Sequence, residues 1–382
     1  MTLRSHERHG LAQTAAVAIA IVVIIAGVAG YLLYTNSTQA STSTSTTSQP
    51  APGEFNQTLV SEAVKEGSLT VYQGIIPADL ATALEQVFQS QFPKISTNVQ
   101  SVLSPILIQK ITAEVKSNHG IADAILLPSQ IDMAALDQQG IFQPYNSPAY
   151  SNFQSRFVAQ DYEYFFPAQF ATFLAYNSQV LNKSGLPPPT SWCDLANPAY
   201  KGLVGIGVAW GGLTYIMHYT LFKTCGGLSF YRSLANNKPK LEEFPNTAAD
   251  LASGAIGIAP GLDYLIQPLI QKGAPIKIVA PKEGIIDALV GAAISKVAPV
   301  PAAARLFIDW LASPQGQLAL QQVQGYTDTS NGAQANALNP LANQEIQWFQ
   351  SPVNTNFNVS DMIQQEASLK TQVYGALNIP TS

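Results

Sequence analysis

From residue 54 onward, apolar positions along this chain switch repeatedly between two spacings. Residues 67–72 form a short β-branched run that ends at Gln73-Gly74, and residues 78–92 then repeat Leu80, Leu84, Val87 and Phe88 at helical intervals. Strand signals follow at 95–102 and 122–127 and helical ones at 106–117 and 131–139, the last closed by Gly140 as a C-terminal cap. After an aromatic stretch at 162–173 the alternation resumes. Strands are expected at 172–176, 203–209, 255–259 and 276–279, with a helix at 212–222. Pro187-Pro188-Pro189 reads as a surface connection, because proline can continue neither a helix nor a central strand. Helices are expected at 302–311 and 314–323, and weaker helical signals at 343–349 and 361–376 carry no assigned role. Such alternation predicts an α/β protein with sheets covered on both faces. The length from 54 to 382 predicts two lobes, 54–165 plus 288–382 and 166–287.

Ahead of this pattern, residues 11–34 carry no formal charge, and a helix of that length reaches across a hydrocarbon core of about 30 Å. Arg4 and Arg8 make residues 1–10 a basic head, so the positive-inside bias keeps that head cytoplasmic and sends the rest of the chain outward. The same pattern is that of a cleavable secretory signal, and His9-Gly10-Leu11 also resembles prepilin-like signals cut before the apolar run, so retention and removal both stay open. Residues 35–53, rich in Ser and Thr, cannot bury enough surface to offset ordering entropy and read as a linker. The expected location is the outer face of the cell membrane, anchored or released, where Asn36, Asn56, Asn182 and Asn358 stand in glycan-acceptor triplets.

Composition narrows the functional classes. Only 11% of the residues are charged, against roughly 25% in an average domain, and net charge is −5 with no basic run, which argues against nucleic acid. Cys193 and Cys225 fall on the exported side, where a disulfide persists and two buried thiols are the alternative. No Gly-X-Ser-X-Gly elbow is present, and His119 and His218 lack motif surroundings, so no enzyme, cofactor or metal is expected.

The order of short motifs resembles the solute-binding proteins of ABC importers, in the ferric-iron-type branch with the two-lobed type II periplasmic-binding fold. The resemblance is carried by residues 66–72, by Ala122-Asp123-Ala124 with 140–145, by Ala175-Tyr176-Asn177 with 191–195 and 198–202, and by 304–317. It implies capture of a small polar solute, an anion or metal-type ligand, by hinge closure, and delivery of that solute to a permease and its ATPase by a monomeric receptor. Surface adhesion of a pilin-like kind and an anchored hydrolase are the alternatives. The hinge is expected near 166–176 and 287–295.

In α/β sheets ligands bind beyond the carboxyl ends of strands. The candidate ligand residues are Gln73, Gly74, Ile75, Pro128, Ser129, Tyr176, Trp210, Gly211, Gly212, Thr214, Asp263 and Tyr264. Trp210-Gly211-Gly212 stands out, since glycines admit a ligand to the backbone and the following helix offers free N–H groups to an anion. Trp192 reads as packing. Ferric members of the family resemble one another in a tandem tyrosine, of which only Tyr264 is present here. Hydrophobic Ile75-Ile76 occupies the place of a first-loop histidine, and both departures disfavour iron.

Overall fold

The computed structural model describes residues 55–74, 78–324, 327–328 and 357–380. The basic head 1–10, the apolar segment 11–34, the linker 35–53, Asn36, Ile75 and the helical signal at 343–349 lie outside the described residues. In chain order the elements are α1 (Gln57–Glu66), β1 (Ser68–Gln73), α2 (Ala78–Gln91), β2 (Ser96–Ser101), α3 (Ser104–Ser117), β3 (Ala124–Leu127), α4 (Gln130–Gln138), β4 (Phe142–Gln143), β5 (Tyr164–Asn177) and α5 (Ser178–Ser184). They continue with β6 (Gly205–Gly207), α6 (Gly212–Thr224), α7 (Leu228–Asn236), β7 (Lys240–Glu242), α8 (Phe244–Ser253), β8 (Ile258–Leu262), α9 (Asp263–Gln271), β9 (Ile276–Val279) and β10 (Ile286–Ser295). The last are α10 (Pro301–Leu311), α11 (Pro314–Gln324), β11 (Thr327–Asp328) and α12 (Val359–Leu377).

The chain divides into two compact units. Of the described residues, one holds 55–127, Gln139–Pro167 and β10 from Gly291 through α11; the other holds Pro128–Gln138, Ala168–Val290 and α12. β5 passes from the first unit to the second between Pro167 and Ala168, and β10 returns between Val290 and Gly291. In the first unit β1 lies between β2 and β3, parallel to both, and the end of β10 pairs antiparallel with β3. Carboxylates pin its loops and helix ends. Asp123 accepts from Thr70 N–H at 2.7 Å and Val300 N–H at 2.9 Å, and burial pushes its carboxyl up to about 6. Glu66 caps the start of α10 through Ala302 and Ala303 N–H at 3.1 and 2.7 Å.

In the second unit, β8 and β9 pair antiparallel with the distal part of β5, and β6 pairs parallel with β7. Ala171 and Phe173 of β5 pack with Leu251, Ile266 and Ile276 in its core. Cys193 and Cys225 are joined as a disulfide, tying the turn Trp192–Ala196 to the end of α6. Trp192 is fully buried and donates its indole N–H to Gly284 O at 2.9 Å, a packing role.

Several expected bounds move. The strand expected at 172–176 is the end of the longer β5, whose residues are buried on both faces and so show no alternation for the sequence to display. The strand expected at 255–259 is Ile258–Leu262, and Pro260-Gly261, which read as loop, pair with Leu174 and Phe173. The strand expected at 203–209 shortens to Gly205–Gly207. The lobe division differs too. α12 packs on α4, α6 and α7 of the second unit rather than joining the first lobe as expected, and Pro128–Gln138 goes with it. Its stripe of Met362, Leu369, Val373, Tyr374 and Leu377 demands a partner, but an apolar stripe does not say which surface it covers.

Candidate solute-binding site

β6 ends at Gly207, and the chain then turns through Val208 to Gly212 before α6 begins. Gly211 (φ 132°) and Gly212 (φ 46°) both hold left-handed backbone that a side chain would strain. No side chain caps α6, so its first turn keeps N–H groups directed out of the helix start. A Cβ placed on Gly212 would lie 3.8 Å from Ser129 Cβ, 3.9 Å from Pro128 O and 3.9 Å from Asp132 Oδ2. Two of the loops expected from sequence, 128–129 and 210–212, therefore meet inside the second unit. Ser129 is itself the cap of α4, accepting from Asp132 N–H at 3.1 Å.

Aromatic and acidic side chains surround this turn. The Trp210 ring stacks on His218 at 5.4 Å and meets the Tyr374 ring edge-on at 5.6 Å. Tyr374 Oη donates to Val208 O at 2.7 Å, so α12 braces the turn directly. Burial raises the Asp132 carboxyl above its ordinary value. Burial first, and then the neighbouring Asp132, raise that of Glu366. The buried Trp210 N–H lies toward Glu366 and favours its charged form, with no acceptor inside hydrogen-bond geometry.

His218 is structural, as its sequence surroundings suggested. Its ring is fully buried between Gly207 O (2.8 Å from Nε2) and Tyr231 Oη (2.9 Å from Nδ1), and burial pushes its pKa down to about 4. The folded value lies below the unfolded one, near 6.5, so the unfolded chain takes up this proton first. Stability is therefore lost as pH falls between those values, by about 3 kcal/mol over the full window. In melting curves from pH 7.5 to 4, His218→Gln is expected to flatten this acid slope of the second unit; an unchanged slope would show that the ring titrates normally.

The remaining candidates stand elsewhere. Gln73 and Gly74 belong to the first unit, where Gln73 Nε2 donates to Ser101 Oγ and Gly74 N–H donates to Leu126 O at 2.9 Å. Thr214 is buried in the first turn of α6. Asp263 is fully buried, and its carboxylate caps backbone, accepting from Ala171 N–H at 2.9 Å and Tyr264 N–H at 2.7 Å. The Tyr264 ring meets Phe170 edge-on at 5.7 Å, and burial holds its phenol protonated far above neutrality. Tyr176 pairs with Ile258 at the start of β8, whereas the carboxyl end of β8 lies at Leu262 beside Thr172. Four residues at about 3.4 Å each separate Tyr176 from the carboxyl end of β8 along that strand pair. Asp132, Glu366 and Tyr374 escaped the sequence reading. The available signals were the Ser129-to-Asp132 spacing of a helix cap and a carboxylate at position 366 on an apolar stripe. Among the described residues no group of three His, Cys, Asp or Glu side chains could hold a metal ion, and no helix is long and apolar enough to cross a membrane.

Two α/β units, joined by strands that run through both and carrying turns at strand carboxyl ends, make up the two-lobed periplasmic-binding-protein fold. The solved structures it is similar to share that fold. AfuA of Actinobacillus pleuropneumoniae, solved with exogenous fructose-6-phosphate bound, is 20% identical with a TM-score of 0.69, over 82% of this chain and 100% of that one. Iron-bound HitA of Pseudomonas aeruginosa is 19% identical with a TM-score of 0.67, over 80% and 99%. The apo ferric ion-binding protein A of Pasteurella haemolytica is 16% identical with a TM-score of 0.69, over 83% and 99%. A Haemophilus influenzae protein of uncharacterised function is 27% identical over 243 residues, 59% of this chain and 70% of its own length.

The chain belongs to the family of bacterial extracellular solute-binding proteins, whose model matches residues 126–350. It is thus an extracytoplasmic receptor of an ABC-type import system, in a family of binding proteins that take small ligands to a permease.

Proposed function

We propose that this receptor takes up a small polar solute at the turn where the starts of α4 and α6 meet, and that the lobes shut on it about the β5 and β10 crossings. The observation that carries this reading is the approach of Gly212 to Ser129 and Pro128 beside the uncapped N–H groups of α6. Asp263, though at a strand end, contributes architecture, since its carboxylate is engaged by backbone donors. Iron is disfavoured: Tyr264 stands without a tandem partner, and its buried phenol resists the deprotonation that a ferric ligand requires. Closure is driven only by a solute that touches both lobes at once. Residues 11–34 would hold the monomeric receptor at the outer membrane face, or be removed on export, and the closed form would engage the permease and its ATPase.

Thermal-shift screening of residues 54–382 against oxyanions, amines, sugars and metals tests the reading, because a solute at a hundred times its Kd adds about 2.7 kcal/mol to the folded state. Small-angle scattering with the best hit is expected to show a smaller radius of gyration; an unchanged radius at saturation would rule out closure.

A further inference from the structure

His218 is a buried titratable side chain that the proposed uptake does not use. Both nitrogens of its ring lie within hydrogen-bond reach of oxygen, Nε2 at 2.8 Å from Gly207 O and Nδ1 at 2.9 Å from Tyr231 Oη. A carbonyl only accepts, so Nε2 carries a proton, and in the neutral ring Nδ1 takes the proton of the Tyr231 hydroxyl. The same hydroxyl oxygen is 3.0 Å from His218 O, a second acceptor for that proton. When Nδ1 binds a further proton from solvent, it donates to Tyr231 Oη, and the hydroxyl donates to His218 O instead. The exchange breaks no hydrogen bond and adds one, since the neutral ring and hydroxyl make two and the charged pair three.

Trp210 joins this pair to the turn ahead of α6. Its ring lies parallel to the imidazole, with 5.4 Å between centroids and 7° between planes, so a charge on the fully buried His218 ring turns the stack into a cation–π contact. Gly207 O and Val208 O, the two carbonyls that lead into the turn, are held by His218 Nε2 and Tyr374 Oη. We propose that His218 and Tyr231 form a proton-operated switch beneath Trp210: uptake of one proton moves the Tyr231 hydroxyl from Nδ1 to His218 O and clamps the indole on the imidazolium, fixing the turn. The inference goes beyond the reading of the turn as a solute site and stands whichever solute the receptor takes. Gly207 and Tyr231 occupy the two ring nitrogens. The other titratable or charged groups nearby are Tyr215 on α6, Asp132 on α4, and Tyr374, Glu366 and Lys370 on α12, which adjoin Trp210, its turn or Tyr374. Burial opposes the charge on His218, so the switch closes only in acid.

Two titrations of the full chain from pH 7.5 to 3 test the switch. In a chain carrying His6→Asn, His9→Asn and His119→Asn, His218 is the remaining histidine, and nitrogen NMR follows its ring alone. The neutral ring is expected to carry its proton on Nε2, and the charged ring is expected to appear while the second unit is still folded. In a chain carrying Trp348→Phe, the other indoles besides Trp210 are the fully buried Trp192 and Trp310. Its emission is expected to fall with the same midpoint, because an imidazolium stacked on an indole quenches it, and Trp210 should become less open to acrylamide. Tyr231→Phe takes away the acceptor of the charged ring and is expected to lower the midpoint by about one pH unit, since a bond from a charged donor is the stronger one. A neutral ring protonated on Nδ1, a ring that stays neutral until the unit unfolds, or emission that does not follow the midpoint overturns the proposal. An unshifted midpoint in Tyr231→Phe overturns it as well, and the ring of the unmutated pair decides it should that variant not fold.

Discussion

Replacing Cys193 and Cys225 together by serine is expected to lower the stability of the second unit by about 3–4 kcal/mol. The bridge spans a sequence separation of 32 residues, and closing a loop of that length removes an entropy worth this amount from the unfolded chain. The loop it closes contains β6, the Val208–Gly212 turn and all of α6, so the candidate site lies on the segment whose ends the disulfide fixes. Guanidinium unfolding followed through the emission of Trp192, which is packed one residue from Cys193, measures the effect directly. A loss under about 1 kcal/mol would mean that the unfolded loop is already compact without the bridge.

Gly316→Ala is expected to cost the first unit about 3 kcal/mol, at the upper end of overpacking effects. A Cβ at this position would sit 2.0 Å from Trp310 O and 2.7 Å from Leu311 Cα, both backbone atoms that no side-chain rotation can clear. The corner between α10 and α11 is held closed from several directions. Ser313 Oγ donates to Trp310 O at 2.6 Å and Gln317 Nε2 donates to Leu311 O at 2.7 Å, while the Trp310 ring packs against Phe88 and Phe307. Opening the corner to admit a methyl group breaks those bonds and lifts Trp310 from the core. Paired melting curves of parent and variant test this, and an unshifted transition would show that α11 can slide without loss. Glycine in the stretch 304–317, one of the motifs that carried the family resemblance, thus has a steric cause: the first turn of α11 passes over the carbonyl of Trp310 near the end of α10.

Much of the fold was legible because it rests on local periodicity. The alternation of β1, α2, β2, α3, β3 and α4 follows from period-two and period-3.6 spacing closed by glycine, and each of these elements forms within a few residues of its expected bounds. Where both faces of a strand are covered, as along β5, the alternation vanishes and the strand read as an aromatic bridge. Where proline and glycine sit inside a paired strand, as at Pro260-Gly261, local propensity pointed to a loop and pairing with β5 overrode it. The turn at Trp210-Gly211-Gly212 was readable because left-handed backbone and an uncapped helix start need glycine at particular places. Its electrical character was not readable. That depends on Asp132 and Glu366, more than two hundred residues apart in the chain and unremarkable on their own helices.

Residue order was enough to indicate the α/β class and the glycine turn before α6, since each follows from the spacing of residues near one another along the chain, while chain length pointed to two units. Packing in three dimensions was needed to bring α12 to the second unit, to make Asp263 a backbone cap and to bring Asp132 beside the turn. Burial and neighbouring charge are properties of a place in space. An amphipathic helix or a lone carboxylate acquires its role only when distant segments pack against it.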